Sequence, residues 1–530
     1  MIMTNIHLKL TAEYWQTLSI TKRDIEFLEN HLFETEIPLS SRELMEALVG
    51  ERIRAEREAQ AGQLKNSGAV YLPKEQYKKG QKLLFPLLGF KQGEVVSIRP
   101  GKNPQVGAFE VLEVTLEDGS IRLFASALPE HKLNNPTEEK ADPESDPQTI
   151  LAEHGEQLEQ KLWDALASDE NIAQVAGRWF PRALLMDINP GHLNLAEAVV
   201  EMAGGEPLSA SSLMEQIDLA HDANAKLTEF SLNYALQEDG RFDEVGPVGQ
   251  VLWCLRRLEP EEVQHVPDFL QYSPIDYDRS LLSGQMLALE SQLDDELSDA
   301  DQKPLKANET TLTLAYPHWR AGTLPVSARM RSFFPTANYA PRIRFTLMDG
   351  KTGEKIPAWV VREHGYVYGL RNWYEKQKLI PGAYITVRHS DMPGEVIVEA
   401  KTRRPVREWV RTVLAGSDGG LVFALLKQEV ACEYNERMAV VVPDLAAVDK
   451  SFTQTSKNNQ SLEKLTRDML RELSKLTPQG HVHAEELYSA VNILRRTPPA
   501  PLFATLAATG DFLHVGDLHF RLGEATPEEK

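Results

Sequence analysis

Cysteine is nearly absent from this chain: two in 530 residues, Cys254 and Cys432, far apart and in apolar surroundings. Two are too few for a disulfide framework or a cysteine zinc site. No stretch approaches the roughly 18 uncharged apolar residues of a membrane span. The first ten residues, MIMTNIHLKL, lack the apolar core and small-residue cleavage site of a secretory signal. A cytoplasmic location without membrane association is the expectation. Catalytic signatures are missing as well: no Walker loop, no HExxH, no GxSxG and no GxGxxG. Asp349-Gly-Lys351-Thr352-Gly353 lacks the upstream glycine of a phosphate loop and reads as a hairpin turn. His481, His483, His514 and His519 fall at a helix start and in a hairpin, where capping and packing suffice, so neither metal nor other cofactor is assigned.

What is present is ordinary globular composition, 42% hydrophobic and 25% charged, at a length suited to three or four domains. The net charge of −21 is unevenly spread. Residues 141–300 carry 8 Lys/Arg against 32 Asp/Glu, whereas residues 311–410 carry 16 against 8. A basic block thus follows a strongly acidic one, an asymmetry that bears on partners rather than on fold. Three polar runs, Pro136–Gln148, Asp294–Asn308 and Thr453–Ser461, read as linkers, and the tail after Gly523 as frayed.

An internal repeat organises much of the rest. PLSSRELME at 38–46 and PLSASSLME at 207–215 agree at six of nine positions, and HVHAEELYS at 481–489 is a looser third copy. Each predicts a capped helix, the cap at or beside Ser40, Ser209 and His483, with Leu44, Leu213 or Leu487 buried. The second and third copies go on to alternating apolar residues about a turn, Phe242–Gly246 with Val251–Leu255 and Phe512–Gly516 with Leu518–Leu522, a hairpin signal. Helices followed by a short hairpin resemble the winged helix-turn-helix family of bacterial transcription and restriction proteins. The first copy, about 20–65, supplies the helices but no matching wing. Its basic continuation is Arg52, Arg54, Arg57 and Lys65. The third helices, about Asp222–Gln237 and Pro498–Thr509, lack the basic face needed to approach phosphate, so a scaffolding or protein-binding role is expected of them. Strands at Leu83–Leu88, Val95–Arg99, Phe109–Leu116 and Ile121–Ala125 predict a small SH3-like barrel, and residues 150–190 a helical region.

The basic block holds GTLPVSARMRSFFP, FTLMDGKTGEKIPAWVV and YGLRNWYEKQKLIPGAYITV. Strand, loop, short helix, Asp-Gly hairpin, strand into helix and Pro-Gly turn, in that order, resemble the plant-type DNA-binding pseudobarrel. That is the domain of auxin-response-factor regulators and of some restriction-enzyme recognition domains. Ala383 stands where the family usually has Asp after the late glycine. The resemblance implies two arms straddling a major groove, mapping to Trp319, Arg320 and Thr323 and to Arg362, Glu363 and His364. Arginine on the arms could read guanine, and Arg329, Arg331, Arg342, Arg344 and Arg388 around them are then candidates for phosphate contacts.

The expected fold is α+β and multidomain, with winged helix-turn-helix domains, a small barrel and a pseudobarrel. Its divisions are 1–66 helix-turn-helix, 67–135 barrel, 136–149 acidic linker, 150–293 helical region with a winged helix, 294–308 linker, 309–412 basic pseudobarrel, 413–452 connecting α/β segment and 462–523 C-terminal winged helix. The expected function is sequence-specific binding of double-stranded DNA by the basic block, the winged helices recruiting a protein partner, with no enzymatic activity. One alternative is the recognition subunit or nuclease of a restriction-like defence system. Its lead is Asp391 followed by Glu399-Ala-Lys401, the order in which such nucleases hold Mg²⁺ on two carboxylates and aid the attacking water with Lys. The other alternative is a protein-interaction scaffold that binds no DNA.

Overall fold

The computed structural model describes residues 10–66, 69–85, 88, 91–103, 107–134, 146–217, 219, 224–298, 303–392, 394–416 and 419–523, with backbone alone at 57 and 60–66. Most of the expected acidic linker (136–145) and the tail past Gly523 lie outside these residues. The fold is mixed α and β, in two compact units: 1–187 with 221–234, and 188–220 with 235–530. Among the described residues no helix is long and apolar enough to cross a membrane.

The first unit opens with helices Ala12–Thr17 (α1) and Lys22–Thr35 (α2), a two-residue strand Leu39–Ser40 (β1), and helix Ser41–Asn66 (α3). Strands Ala69–Val70 (β2), Lys82–Phe85 (β3), Lys91–Pro100 (β4), Glu110–Leu116 (β5) and Ile121–Ser126 (β6) follow, then Pro147–Ala167 (α4), Ile172–Val175 (β7) and Arg178–Pro181 (β8). Ser40 caps α3 as its residue type predicts. Its Oγ accepts from Glu43 N–H at 3.2 Å while its own N–H donates to Glu43 Oε2 at 2.7 Å. Such a reciprocal box is worth about 1 kcal/mol.

The stretch 172–181, expected to be helical, is a hairpin. Ala176 and Gly177 take left-handed φ of 48° and 80° in succession, the geometry of the tight turns that match strand twist. Strand β8 then pairs with β1, Leu39 opposite Trp179, in a sheet ordered β1-β8-β7. Trp179 Nε1 donates to Ser41 Oγ at 2.8 Å, and Leu28, Leu32, Leu44, Leu48, Leu158, Leu162 and Trp179 form one core. The first repeat therefore has its hairpin, displaced because the five-stranded sheet β2-β3-β4-β5-β6 is inserted between α3 and α4. That sheet curls until Tyr71, just beyond its first strand, donates to Ala125 O in its last. The division expected between 1–66 and 150–293 thus cuts through one packed body.

The second repeat comprises Pro190–Met202 (α5), Leu208–Ser209 (β9), Ala210–Gln216 (α6), Ala225–Glu238 (α7), Phe242–Glu244 (β10) and Leu252–Leu255 (β11). Residues 225–234 of α7 belong to the first unit. Helices Glu261–Gln264 (α8) and Gly284–Leu293 (α9) lead to the basic block: Glu309–Thr313 (β12), Tyr316–Ala321 (α10), Thr323–Pro325 (β13), Arg342–Asp349 (β14), Lys355–Val361 (β15), Tyr366–Tyr368 (β16), Arg371–Lys376 (α11), Tyr384–His389 (β17) and Glu395–Ala400 (β18). Its strands form one sheet, β12-β17-β18-β14-β15-β16-β13, antiparallel except where β14 meets β18. Ile343, Phe345 and Leu347 alternate inward onto a core with Val367, Trp373, Ile385 and Val398. Asp349 ends that inward row. Burial alone would raise its pKa, but bonds from Trp373 Nε1 at 2.7 Å, Gln377 Nε2 at 2.9 Å and two backbone amides lower it.

A long two-stranded ribbon, Thr402–Ala415 (β19) and Leu421–Cys432 (β20), crosses the boundary expected at 412. Helix Leu445–Lys457 (α12) occupies most of the third expected linker, and the last repeat follows: Leu462–Ser474 (α13), Val482–His483 (β21), Ala484–Leu494 (α14), Pro499–Ala508 (α15), Phe512–Gly516 (β22) and His519–Leu522 (β23). All three repeats share the order helix, short strand, helix, helix, hairpin. In each sheet the hairpin's second strand lies in the middle.

The expected linker at 294–308 begins as core. Arg496 donates to Asp295 Oδ1 at 2.6 Å and to Glu296 Oε1 at 2.7 Å, Tyr488 donates to Asp295 Oδ2 at 2.5 Å, and His318 Nε2 stands 3.0 Å from Glu296 Oε2, all buried. The acidic composition that suggested flexibility instead neutralises a buried arginine. Residues 299–302 of that run lie outside the described residues.

The third repeat uses an imidazole as its cap: His483 Nδ1 accepts from Glu485 N–H at 3.1 Å. Burial, with Arg437 and His519 adding, pushes the His483 pKa down to about 4. The folded state therefore holds fewer protons than the unfolded chain between about pH 6.5 and 4. Stability contributed by neutral His483 should be lost as pH falls through that window. Denaturant midpoints at pH 7.5 and 5 should differ, and His483→Asn, which caps without titrating, should reduce the difference.

Candidate nucleic-acid interface

Of the side chains that the sequence pointed to, Glu363 is exposed, and the fold sorts the other ten by whether a partner already holds them. Trp319 and Arg320 do not stand on a projecting arm. They lie on α10, a helix whose Tyr316, Pro317, His318 and Ala321 are buried. Trp319 Nε1 donates to Leu379 O at 2.8 Å. Arg320 grips Asp449 with two bonds, at 3.1 and 2.6 Å, and lies over the Phe269 ring. Thr323 is fully buried against His318 Nδ1 at 2.9 Å. The first expected arm is thus packed inward, because Asp449 and Phe269 supply from within the chain what a base and a phosphate would have supplied.

Arg342 and Arg344 are likewise engaged. Arg342 Nη1 lies 2.6 Å from both Asp243 Oδ2 and Glu259 Oε2. Arg344 reaches Glu206 at 3.5 Å and covers the Trp359 ring. Burial lowers the pKa of Arg344, with Glu206 opposing. Arg329 makes one long bond, 3.4 Å, to Ser291 O.

The remaining four face outward. Arg331, Arg362 and His364 are exposed, with Arg362 steadied by a 2.9 Å bond to Ala340 O. Arg388 lies on the outer face of β17, two residues along from Thr386, whose hydroxyl meets Thr311 at 3.0 Å. Arg388 and Glu399 flank Gly350, where an added Cβ would come within 3.2 Å of the guanidinium and 3.1 Å of the carboxylate. Arg388 Nε is buried and makes no hydrogen bond.

Further cations adjoin Arg388. Lys351 reaches across to Ala400 O and Thr402 Oγ1, each at 2.7 Å, which sets its ammonium where β18 passes into β19. Lys401 lies over the Tyr384 ring at that junction. Arg404 and Arg407 follow on the exposed half of β19, and Lys427 stands on β20 opposite Trp409. Among the described residues none of these six cations forms an ion pair with a carboxylate, whereas Lys355, Lys376 and Arg403 are matched by Glu395, Glu354 and Glu408. Sequence reasoning leaves out Arg404, Arg407 and Trp409, which lie in the basic block but outside its two expected arms, and Lys427, which falls in the connecting segment. The run RRPVREW at 403–409 was the signal.

The nuclease-like pattern does not come together. Asp391 sits in the turn after β17, beside the pair His389 and Val396, while Glu399 pairs with Thr386. Three rungs at about 3.3 Å put Glu399 roughly 10 Å up the ladder from that turn. Val396, Val398 and Ala400 are buried, and Glu399 is on the opposite face. Among the described residues no group of three His, Cys, Asp or Glu could hold a metal ion.

Comparison with protein-family models finds no match. Nor does any curated protein match the chain in sequence.

Two outcomes follow from this sorting. Arg342→Met should destabilise the second unit by about 3–5 kcal/mol, since it leaves the buried Glu259 unpaired and Asp243 with Arg256 alone, while Arg331→Ala should stay within about 0.5 kcal/mol; urea unfolding of both variants checks this. The Glu399→Ala, Lys401→Ala double variant should unfold within about 1 kcal/mol of the parent, because both side chains lie on the outer face of the sheet.

Proposed function

We propose that the chain binds double-stranded DNA through the outer side of its seven-stranded sheet and the ribbon that continues it. One observation carries the reading: among the cations of the basic block that form no ion pair with a carboxylate, five, Lys351, Arg388, Lys401, Arg404 and Arg407, follow one another from sheet to ribbon. Such a row suits a polyanion of regular charge spacing, where each neutralised phosphate releases condensed counterions. The exposed turn Arg362–His364 provides a further contact of the kind the pseudobarrel resemblance implies, and Arg331 another. Base-reading by Trp319, Arg320 and Thr323 is not part of this proposal.

The three repeats, read as winged helices, serve in it as scaffold. A DNA-reading winged helix presents its third helix to the major groove. Here α15 buries Pro499, Leu502, Phe503 and Leu506, and the exposed side of α4 carries Glu153, Glu156 and Asp164. Neither can approach phosphate. Their remaining exposed surface is where a protein partner would dock.

Binding of a labelled duplex to the full chain, followed by anisotropy between 50 and 300 mM salt, tests the reading. The affinity should fall steeply, with a slope of log K against log salt of about −0.9 per phosphate contacted. Arg388→Ala with Lys351→Ala should flatten that slope by about 2 while leaving the preferred sequence unchanged. No binding at 50 mM salt, or an affinity independent of salt, would refute it.

A further inference from the structure

The ribbon carries a feature that phosphate binding leaves unexplained. Trp409 is 64% exposed on a rigid antiparallel ladder. The ladder is fixed from below, because Val413, Leu421 and Phe423 enter one core and Val410 and Val430 another. Between those anchorages, along 403–409 and 425–429, most side chains turn to solvent. Lys427 stands directly opposite Trp409, its ammonium 5.8 Å from the ring centre. Arg407 lies two residues along the same face, about 7 Å away by strand geometry. Leu425, 47% exposed, is the diagonal neighbour across the ladder. Glu429 pairs in register with Arg407 without forming an ion pair with it, and Glu408 is taken up by Arg403.

An indole so exposed between two cations has the two parts that single-strand recognition needs. With Lys427 over one face of the ring, the other face is flat and open to any base, and the charges beside it hold the neighbouring phosphates. A duplex hides its base faces in the stack, so the complement of this surface is an unpaired nucleotide. We infer that Trp409, with Arg407 and Lys427, is a stacking platform for an unpaired base next to bound duplex. This rests on the reading of the sheet as a DNA-binding surface and specifies the substrate as duplex with a gap, flap or opened segment.

Binding of the full chain to an intact duplex and to the same duplex with a short single-stranded gap tests the inference. Wild type should prefer the gapped substrate by about tenfold, the range of one stacked base. Trp409→Ala should abolish that preference with intact-duplex binding preserved, and Trp409→Phe, which keeps an aromatic face, should retain most of it. The indole emission quenched on adding gapped DNA should be smaller in Trp409→Phe than in wild type. Equal binding of both substrates by wild type, or an undiminished preference in Trp409→Ala, overturns the inference and leaves the DNA-binding reading standing. If wild type binds neither substrate, the underlying reading fails as well. Self-association lost in Trp409→Ala with DNA preference intact would also overturn it and assign the ribbon to a second copy of the chain.

Discussion

The second unit is organised around a buried charge that cannot be left alone. Arg496 lies after α14, wholly enclosed, and its charge is balanced by Asp295 and Glu296, two hundred residues earlier in sequence, with Asn492 Oδ1 and Thr497 O accepting further bonds from its guanidinium. Burial would raise the pKa of Glu296, yet Arg496 and His318 outweigh it and the pKa is lowered. Tyr488, His318 and Thr323 complete the network. Complete clusters of this kind contribute little net stability, because desolvation offsets attraction, but losing one member costs several kcal/mol. The network therefore acts as a constraint on assembly. The last repeat, helix α10 and the segment entering the sheet must be in place together, or a charge is stranded.

The same logic, applied more loosely, explains why a block with a net charge of +8 shows fewer free cations than its composition suggests. Arg342 is held between two carboxylates contributed by and just after β10–β11, and Arg320 by one from α12. Part of the acidic excess of residues 141–300 is spent inside the second unit on the basic block itself. Among the cations that remain without an ion pair, Lys351, Arg388, Lys401, Arg404 and Arg407 lie along the outer sheet and the ribbon.

Much of this was legible locally. The caps at Ser40, Ser209 and His483, the Asp-Gly turn of β14–β15 and the hairpins of the last two repeats depend on residues a few positions apart, where composition and geometry are tightly linked. What could not be read was partner choice at a distance. Nothing near Arg320 in sequence announces Asp449, and nothing near Asp295 announces Arg496. Acidic, polar runs therefore read as linkers, and arginines already paired within the chain read as groove contacts. The hairpin of the first repeat was lost differently: Ala176-Gly177 is a visible turn signal, but it lies far beyond the strand it completes, so the pattern of the repeat appeared truncated.

That displacement has a bearing on how the chain is made. The edge left open by β1 at Leu39 is filled only by Trp179, 140 positions later. At a synthesis rate of roughly 5–20 residues per second, some ten seconds pass between the emergence of the two. During that interval α2 and α3 have no sheet and no α4 to cover Leu28, Leu44 and Leu48. The inserted five-stranded sheet, built of neighbouring strands in sequence, can complete itself in the meantime. It brings its own ends together and so shortens the effective loop that α4 must close. An apparently interrupting segment would thus serve as a timed spacer on the ribosome, and the nascent first repeat is where a chaperone would be most needed.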